Sequence, residues 1–164
     1  MTVRIALETP DQIPAIRTLL LEAFPTSLEA DLVDRLRHDG DITIGVVAVA
    51  TDAVVGHAVF SPMTASMKAL GLGPVAVRPG WQARGVGSML IRNGLERAKK
   101  AGWDAVFVLG DPAYYSRFGF DTAAASGFVS PYAGPHFMAL SLKACPLPVR
   151  TGRVDYAPAF RDLE

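Results

Sequence analysis

The stretch Val75-Ala76-Val77-Arg78-Pro79-Gly80-Trp81-Gln82-Ala83-Arg84-Gly85-Val86-Gly87 decides the reading of this chain. Val75 and Val77 alternate with small Ala76, as in a buried strand. Pro79-Gly80 breaks that strand. From Val86 to Ala101 the pattern turns helical: Val86, Leu90, Ile91, Gly94, Leu95 and Ala98 share one face, and Arg92, Glu96, Lys99 and Lys100 point elsewhere. Gly85 and Gly87 therefore sit at a helix N-terminus. There the first backbone N–H groups lack intrahelical partners and the helix dipole adds positive character. A strand, a glycine-rich turn and a helix start make an anion site, and phosphate is its usual occupant.

Two common phosphate motifs do not fit. Gly80 and Gly85 have Walker A spacing, but Val86-Gly87 stands where Lys-Ser/Thr is required. Gly85-Val86-Gly87-Ser88-Met89-Leu90 begins like a dinucleotide fingerprint and lacks its third glycine. What remains, Gln82-Ala83-Arg84-Gly85-Val86-Gly87, resembles the Q/R-x-x-G-x-G/A motif of the GNAT superfamily of acyl-CoA-dependent acetyltransferases. A second segment agrees. After an apolar run Ala105–Leu109 comes Tyr115-Ser116-Arg117-Phe118-Gly119-Phe120, which resembles the family's Y-x-x-x-G-F signature. The two occur in the family's order, one helix and one strand apart, and Pro74–Phe120 looks most like the YhbS-type branch.

The resemblance implies an enzyme that uses acetyl-CoA as acyl donor and no metal, and the lone cysteine with no signal peptide or membrane span points to the cytoplasm. The turn Gln82, Ala83, Arg84, Gly85, Val86, Gly87 and Ser88 would hold the CoA pyrophosphate, and the backbone of Val75, Ala76 and Val77 would pair with the pantetheine amides. Tyr115 takes the family's general-acid position, protonating the departing thiolate. With a tyrosine pKa of ~10 and a thiol pKa of ~8.5, that transfer is uphill by about 2 kcal/mol, a gap the nearby helix N-terminus could narrow. Tyr114, its neighbour, is read as packing, on the other side of the short helix.

Composition adds exclusions. The chain has 164 residues, half of them apolar and 20% charged, which fits one domain with a full core. Sixteen basic and sixteen acidic residues cancel, which argues against nucleic acid as a main partner. The N-terminus does not read as a signal peptide, and no apolar run approaches a membrane span of ~20 residues. Cys145 is the only cysteine, so no internal disulfide forms; it lies beyond both motifs and is a poor nucleophile candidate. The acceptor is read as an amine on a small molecule or peptide, attacking directly without an acyl-enzyme. Another acyl chain, an alcohol acceptor, or a non-catalytic acyl-CoA sensor are the rival readings. Oligomeric state stays open, with a homodimer among the options.

The remaining pattern gives the order β-α-α-β-β-β-α-β-α-β-β, the GNAT order: a single-domain α/β fold with a mixed central sheet of about six to seven strands flanked by helices. Val3–Leu7 opens it; a helix capped by Asp11 follows; Thr26-Ser27-Leu28-Glu29 reads as a capping box for a second helix. Ile42–Ala50 and Val54–Ser61 form a hairpin, then come the strand Leu72–Val77, the helix and the strand Ala105–Leu109. Pro112–Phe118 is a short helix, Phe120–Phe128 is weakly strand-like, and Phe137–Leu142 is a firm strand. Residues 1–145 are assigned to the acetyltransferase domain and 146–164 to a tail, in which Val149–Tyr156 could add an edge strand.

Several side chains are weighed individually. Asp111 before Pro112 reads as a helix N-cap, and no Asn occupies that connection, where many relatives use one on the cofactor. Gly119 reads as a left-handed C-cap, Phe118 and Phe120 as core, and Arg117 either as a phosphate ligand or as solvated. No titratable side chain occurs in Gly71–Val77, where some relatives carry a base. His57 and His136 are weak candidates for that role, and His38 reads as a solvated helix end. Phe24, Phe60, Met63, Met67 and Trp81 could line an acceptor pocket or simply pack, with the loop Pro62–Met67 the better acceptor-side element.

Overall fold

The hairpin at the centre of the sequence builds the centre of the sheet. The computed structural model describes residues 2–163, with side chains through Arg161. Strands β2 (Ile44–Ala50) and β3 (Ala53–Pro62) are joined by Thr51-Asp52, whose φ values of 49° and 63° are the left-handed pair that a two-residue hairpin turn needs. Every residue of β2 is buried. Val46 and Ala48 face one layer and Val47 and Val49 the other, so both faces of the sheet are covered.

Around this hairpin lie β1 (Arg4–Leu7), β4 (Ala69–Val77), β5 (Ala105–Leu109) and β7 (Phe137–Ser141). The six-stranded sheet runs β1-β2-β3-β4-β5-β7, and all its pairs are antiparallel except β4 with β5. Helix α3 (Val86–Lys100) covers one face, where Leu90, Ile91 and Ala98 pack on Phe60, Leu70 and Val106. Gly94 is required there, because a Cβ would run into the Phe60 ring. Helices α1 (Ile13–Ala23) and α2 (Leu28–His38) cover the other face with Ile16, Leu19, Leu20, Val33 and Leu36.

The expected element order holds, with local corrections. Asp11 lies inside a 3₁₀ turn, Pro10–Gln12, capped by Thr9 in a capping box with Gln12. The box expected at Thr26…Glu29 is one residue out of register. The N-cap is Ser27, so Glu29 occupies the second helical position, and the Ser27 hydroxyl donates to Asp31. β4 starts three residues before Leu72. The Pro112 helix splits into α4 (Pro112–Tyr115) and a 3₁₀ turn, Ser116–Phe118.

Phe120–Phe128 is not a strand. Asp121 accepts from the Ala123 N–H at 2.9 Å and starts helix α5 (Thr122–Ala125), in keeping with its alanines; only β6 (Phe128–Val129) is extended. The tail adds no edge to the main sheet. Its strand β8 (Gly152–Arg153) pairs in parallel with β6, and Val154, Ala157 and Ala159 are buried against the rest of the fold.

One ionic cluster braces the α1/α2 face. His57 on β3 is wholly buried, and its Nε2 donates to Glu8 Oε1 at 2.7 Å; Arg37 on α2 pairs with the other Glu8 oxygen. Burial alone would raise the Glu8 carboxyl, but the hydrogen bonds from His57 and Arg37 outweigh it and hold the group near 2, against an ordinary 4.5. The depressed value means that this stabilisation is present above pH 4.5 and is lost as the pH falls toward 2. Glu8→Gln should therefore cost about 3 kcal/mol at neutral pH. The difference in melting temperature between wild type and variant should shrink below pH 4.5, and a pH-independent difference would show that the ion pairs are not its source.

Candidate functional site

Strands β4 and β5 pair only over Ala69–Leu72 and Ala105–Val108. Beyond that point β4 continues bonded to β3 alone, with Val75, Ala76 and Val77 opposite Ala58, His57 and Gly56. The two strands part like a V, and β4 becomes partly exposed from Gly73, where pairing with β5 has ended. This leaves a stretch of β4 with an open backbone edge, and a recess lies at each end of it.

The first recess, of about 330 Å³, lies where β4 hands over to α3. Val77, Gln82, Ala83, Gly85, Gly87 and Ser88 line it from the turn, and Tyr114 and Arg117 line it from across the gap. Gly85 is the N-cap of α3 at φ 81°, a left-handed conformation that glycine adopts without strain. Gly87 allows close approach of the Tyr114 hydroxyl, which would lie 3.1 Å from a Cβ there. The turn is held shut from outside: Gln82 Nε2 donates to the Val77 carbonyl at 3.1 Å, so that amide is committed to structure. Arg84 is exposed, stacks over Trp81 at 5.0 Å and is not among the walls. The cation that does line the recess is Arg117, which lies 4.5 Å over the Tyr114 ring and donates to the Tyr114 carbonyl at 2.9 Å. No carboxylate lines it. Free helix N–H groups and one guanidinium make this recess suited to an anion such as a pyrophosphate.

The second recess, of about 260 Å³, lies at the apex of the V. Leu72, Gly73 and Pro74 of β4 and Leu109 of β5 form its floor, and Tyr132, Tyr156 and Phe160 form an aromatic wall. Tyr156 stands edge-on to Tyr132 at 5.3 Å and tilted to Phe160 at 5.0 Å. Glu29 and Leu32 close it from α2. Two polar atoms here, Glu29 Oε1 and the Tyr156 hydroxyl, are buried without a hydrogen-bond partner. Burial, with a smaller contribution from Tyr132 and Tyr115, pushes the Tyr156 hydroxyl above its ordinary range.

Tyr115 lines neither recess, but its ring touches Tyr114, which lines the first. Its ring packs edge-on to Tyr114 at 5.0 Å and to Phe120 at 5.9 Å, against Gly110. The two tyrosines thus touch each other, with Tyr114 over the anion recess, and do not point apart. Burial, then the neighbouring Tyr114, push the Tyr115 hydroxyl up to about 12. The narrowing expected from the helix N-terminus does not occur.

The other residues weighed from sequence fall as follows. Asp111 accepts from the Ala113 N–H at 3.0 Å and caps α4, Gly119 is a left-handed C-cap at φ 100°, and Phe118 and Phe120 are buried. His57 is held by Glu8 away from both recesses, and His38 and His136 are exposed. Phe24, Phe60, Met63 and Met67 are absent from the walls of the apex recess; Phe60 and Met63 are core, and Trp81 belongs beside the anion recess. Cys145 is exposed and lines neither recess. The residues sequence reading passed over are Glu29, Tyr132, Tyr156 and Phe160. Among the described residues no group of His, Cys, Asp and Glu is placed to hold a metal ion, and no helix is long and apolar enough to cross a membrane.

Known proteins share this fold. Residues 13–120 match the model of the acetyltransferase (GNAT) family. The N-acetyltransferase YhbS of Escherichia coli strain K12 is 40% identical over 124 residues, 73% of this chain and 74% of that protein. The crystal structure of YhbS in complex with CoA superposes with a TM-score of 0.91 at 35% identity, over 97% of this chain and 92% of that one. A GNAT acetyltransferase from Brucella melitensis, solved in complex with acetyl-CoA, gives 0.82 at 33% identity over 97% and 98%. The chain belongs to the GNAT family of acetyltransferases.

Proposed function

We propose that this protein transfers an acetyl group from acetyl-CoA to an amine, by direct attack and without an acyl-enzyme. The observation that carries the reading is the open edge of β4 with an anion recess at one end and a polar-tipped apolar recess at the other. From Val77 to Leu72 is five residues, which at ~3.3 Å per residue spans roughly 17 Å, the scale of an extended pantetheine arm. Solved relatives bound to CoA and acetyl-CoA support the same assignment.

Bound acetyl-CoA supplies an activated acetyl thioester. The chain's own residues do the rest. The N–H groups at the start of α3 and the Arg117 guanidinium hold the diphosphate, with Gly85 and Gly87 keeping side chains out of the way. Val75, Ala76 and Val77 offer backbone donors and acceptors along the arm. Tyr115, which holds the family's donor position by sequence, would offer its hydroxyl to the departing sulfur. Its value near 12 against a thiol near 8.5 makes full proton transfer uphill by roughly 5 kcal/mol, so its role is to donate a hydrogen bond to developing charge. Cys145 stands outside both recesses, in agreement with direct transfer.

Saturating acetyl-CoA should stabilise the protein. At a hundred times Kd the gain is about 2.7 kcal/mol, or roughly 5–10 °C in melting temperature. CoA should act similarly, and NADH and ATP much less. Absence of both a thermal shift and calorimetric binding with acetyl-CoA overturns the proposal.

A further inference from the structure

The apex recess has a chemistry of its own. Its walls are apolar except at three side chains: the Tyr132 hydroxyl donates to the Phe160 carbonyl at 3.5 Å, while the Glu29 carboxylate and the Tyr156 hydroxyl each present a buried oxygen with no partner. A buried acceptor without a donor costs free energy that native proteins rarely leave uncompensated, so a ligand group that donates is what fits there. Both oxygens can accept, and the Tyr156 hydroxyl can also donate; Glu29 accepts only and brings negative charge, so it is Glu29 that sets the demand for a donor. No basic side chain lines the recess, and Arg161 belongs to an adjoining small recess together with Asp155. Three aromatic rings beside a carboxylate favour a cation with an apolar body, since ring faces attract positive charge. The same walls disfavour a second negative charge, which would face Glu29 with nothing to neutralise it.

We propose that the acceptor is a compact primary amine with an apolar or aromatic body and no carboxylate, its nitrogen directed to Glu29 and Tyr156 in the recess walled by Tyr132 and Phe160. This rests on the acetyl-transfer reading and narrows it to a substrate class. The ammonium form gives one proton to the Glu29 carboxylate, which relays it to solvent. The freed nitrogen forms the new C–N bond as the C–S bond breaks, and its remaining surplus proton and the one that the thiolate takes up balance through solvent.

The test uses the full chain, acetyl-CoA and three matched probes: 2-phenylethylamine, phenylalanine and 2-phenylethanol. CoA release should show kcat/KM for the amine roughly a hundredfold above that for the amino acid, with the alcohol inert. Glu29→Gln should lower kcat/KM for 2-phenylethylamine on the order of a hundredfold, with acetyl-CoA affinity and melting temperature unchanged, and Glu29→Asp should recover part of the loss. Calorimetry of 2-phenylethylamine with wild type and Glu29→Gln measures the recess independently of transfer. Phenylalanine used as well as the amine, no amine turnover despite acetyl-CoA binding, or a fully active Glu29→Gln overturns the substrate class. Glu29-dependent binding of the amine by a protein that does not bind acetyl-CoA supports the recess and overturns the acetyl-transfer reading instead.

Discussion

Replacing Gly87 by glutamate is expected to abolish acetyl-CoA binding while the protein stays folded. Gly87 is the second residue of α3, in ordinary helical conformation, so a side chain strains no backbone there. Its Cβ would face the recess, 3.1 Å from the flexible end of Tyr114 and 3.8 Å from Val77. A carboxylate at that point meets the diphosphate at close range. A like charge about 4 Å away costs about 4 kcal/mol in a partly screened site, close to a thousandfold in Kd. Gly87→Ala separates size from charge: the tyrosine tip gives by a few tenths of an ångström, and binding should weaken less than tenfold. Gly85→Glu is a poorer probe, because its φ of 81° would add backbone strain to the charge effect. Calorimetry on Gly87→Glu decides the matter. Affinity within a factor of ten of wild type would place the diphosphate elsewhere.

The anion recess at the turn was legible in sequence because it is local. Strand, turn and helix start lie within the thirteen residues from Val75 to Gly87, and each step has a short-range cause: valine alternation, Pro79-Gly80, and glycines before a periodic apolar face. The apex recess was not legible, because its walls are assembled from five separate parts of the chain. Glu29 comes from α2, Leu72 and Leu109 from two parting strands, and Tyr132, Tyr156 and Phe160 from segments without periodicity. Thr26 and Glu29 have capping-box spacing, and that local explanation absorbed Glu29; only the actual helix start, one residue later, leaves its carboxylate free. His57 failed in the opposite sense. Its partner Glu8 is 49 residues away in sequence and is itself held by Arg37 on α2, so nothing nearby showed that the imidazole was already committed.

Tyr115→Phe and Tyr114→Phe should separate cleanly, and not as helix geometry alone suggests. Adjacent residues on a helix point apart, which makes Tyr114 a bystander. In the structure the two rings touch at 5.0 Å, and the Tyr114 hydroxyl reaches over Gly87 into the anion recess. Tyr114→Phe should therefore weaken acetyl-CoA by the loss of one hydrogen bond to a charged group, about 1.5–3 kcal/mol at most, with kcat nearly unchanged. Tyr115→Phe should do the reverse. Removal of a donor to developing charge typically costs ~10²-fold or more, and that loss should appear in kcat with little change in acetyl-CoA affinity. The pH dependence carries a further sign. The useful form of Tyr115 is the protonated one, and with its hydroxyl held near 12 it stays protonated through the assay range. Loss of that proton should therefore produce no falling limb of kcat below pH 10, in wild type or in Tyr114→Phe. Equal kcat of Tyr115→Phe and wild type at every pH would remove Tyr115 from the chemistry, and a kcat collapse confined to Tyr114→Phe would move the donor role one residue back along the chain.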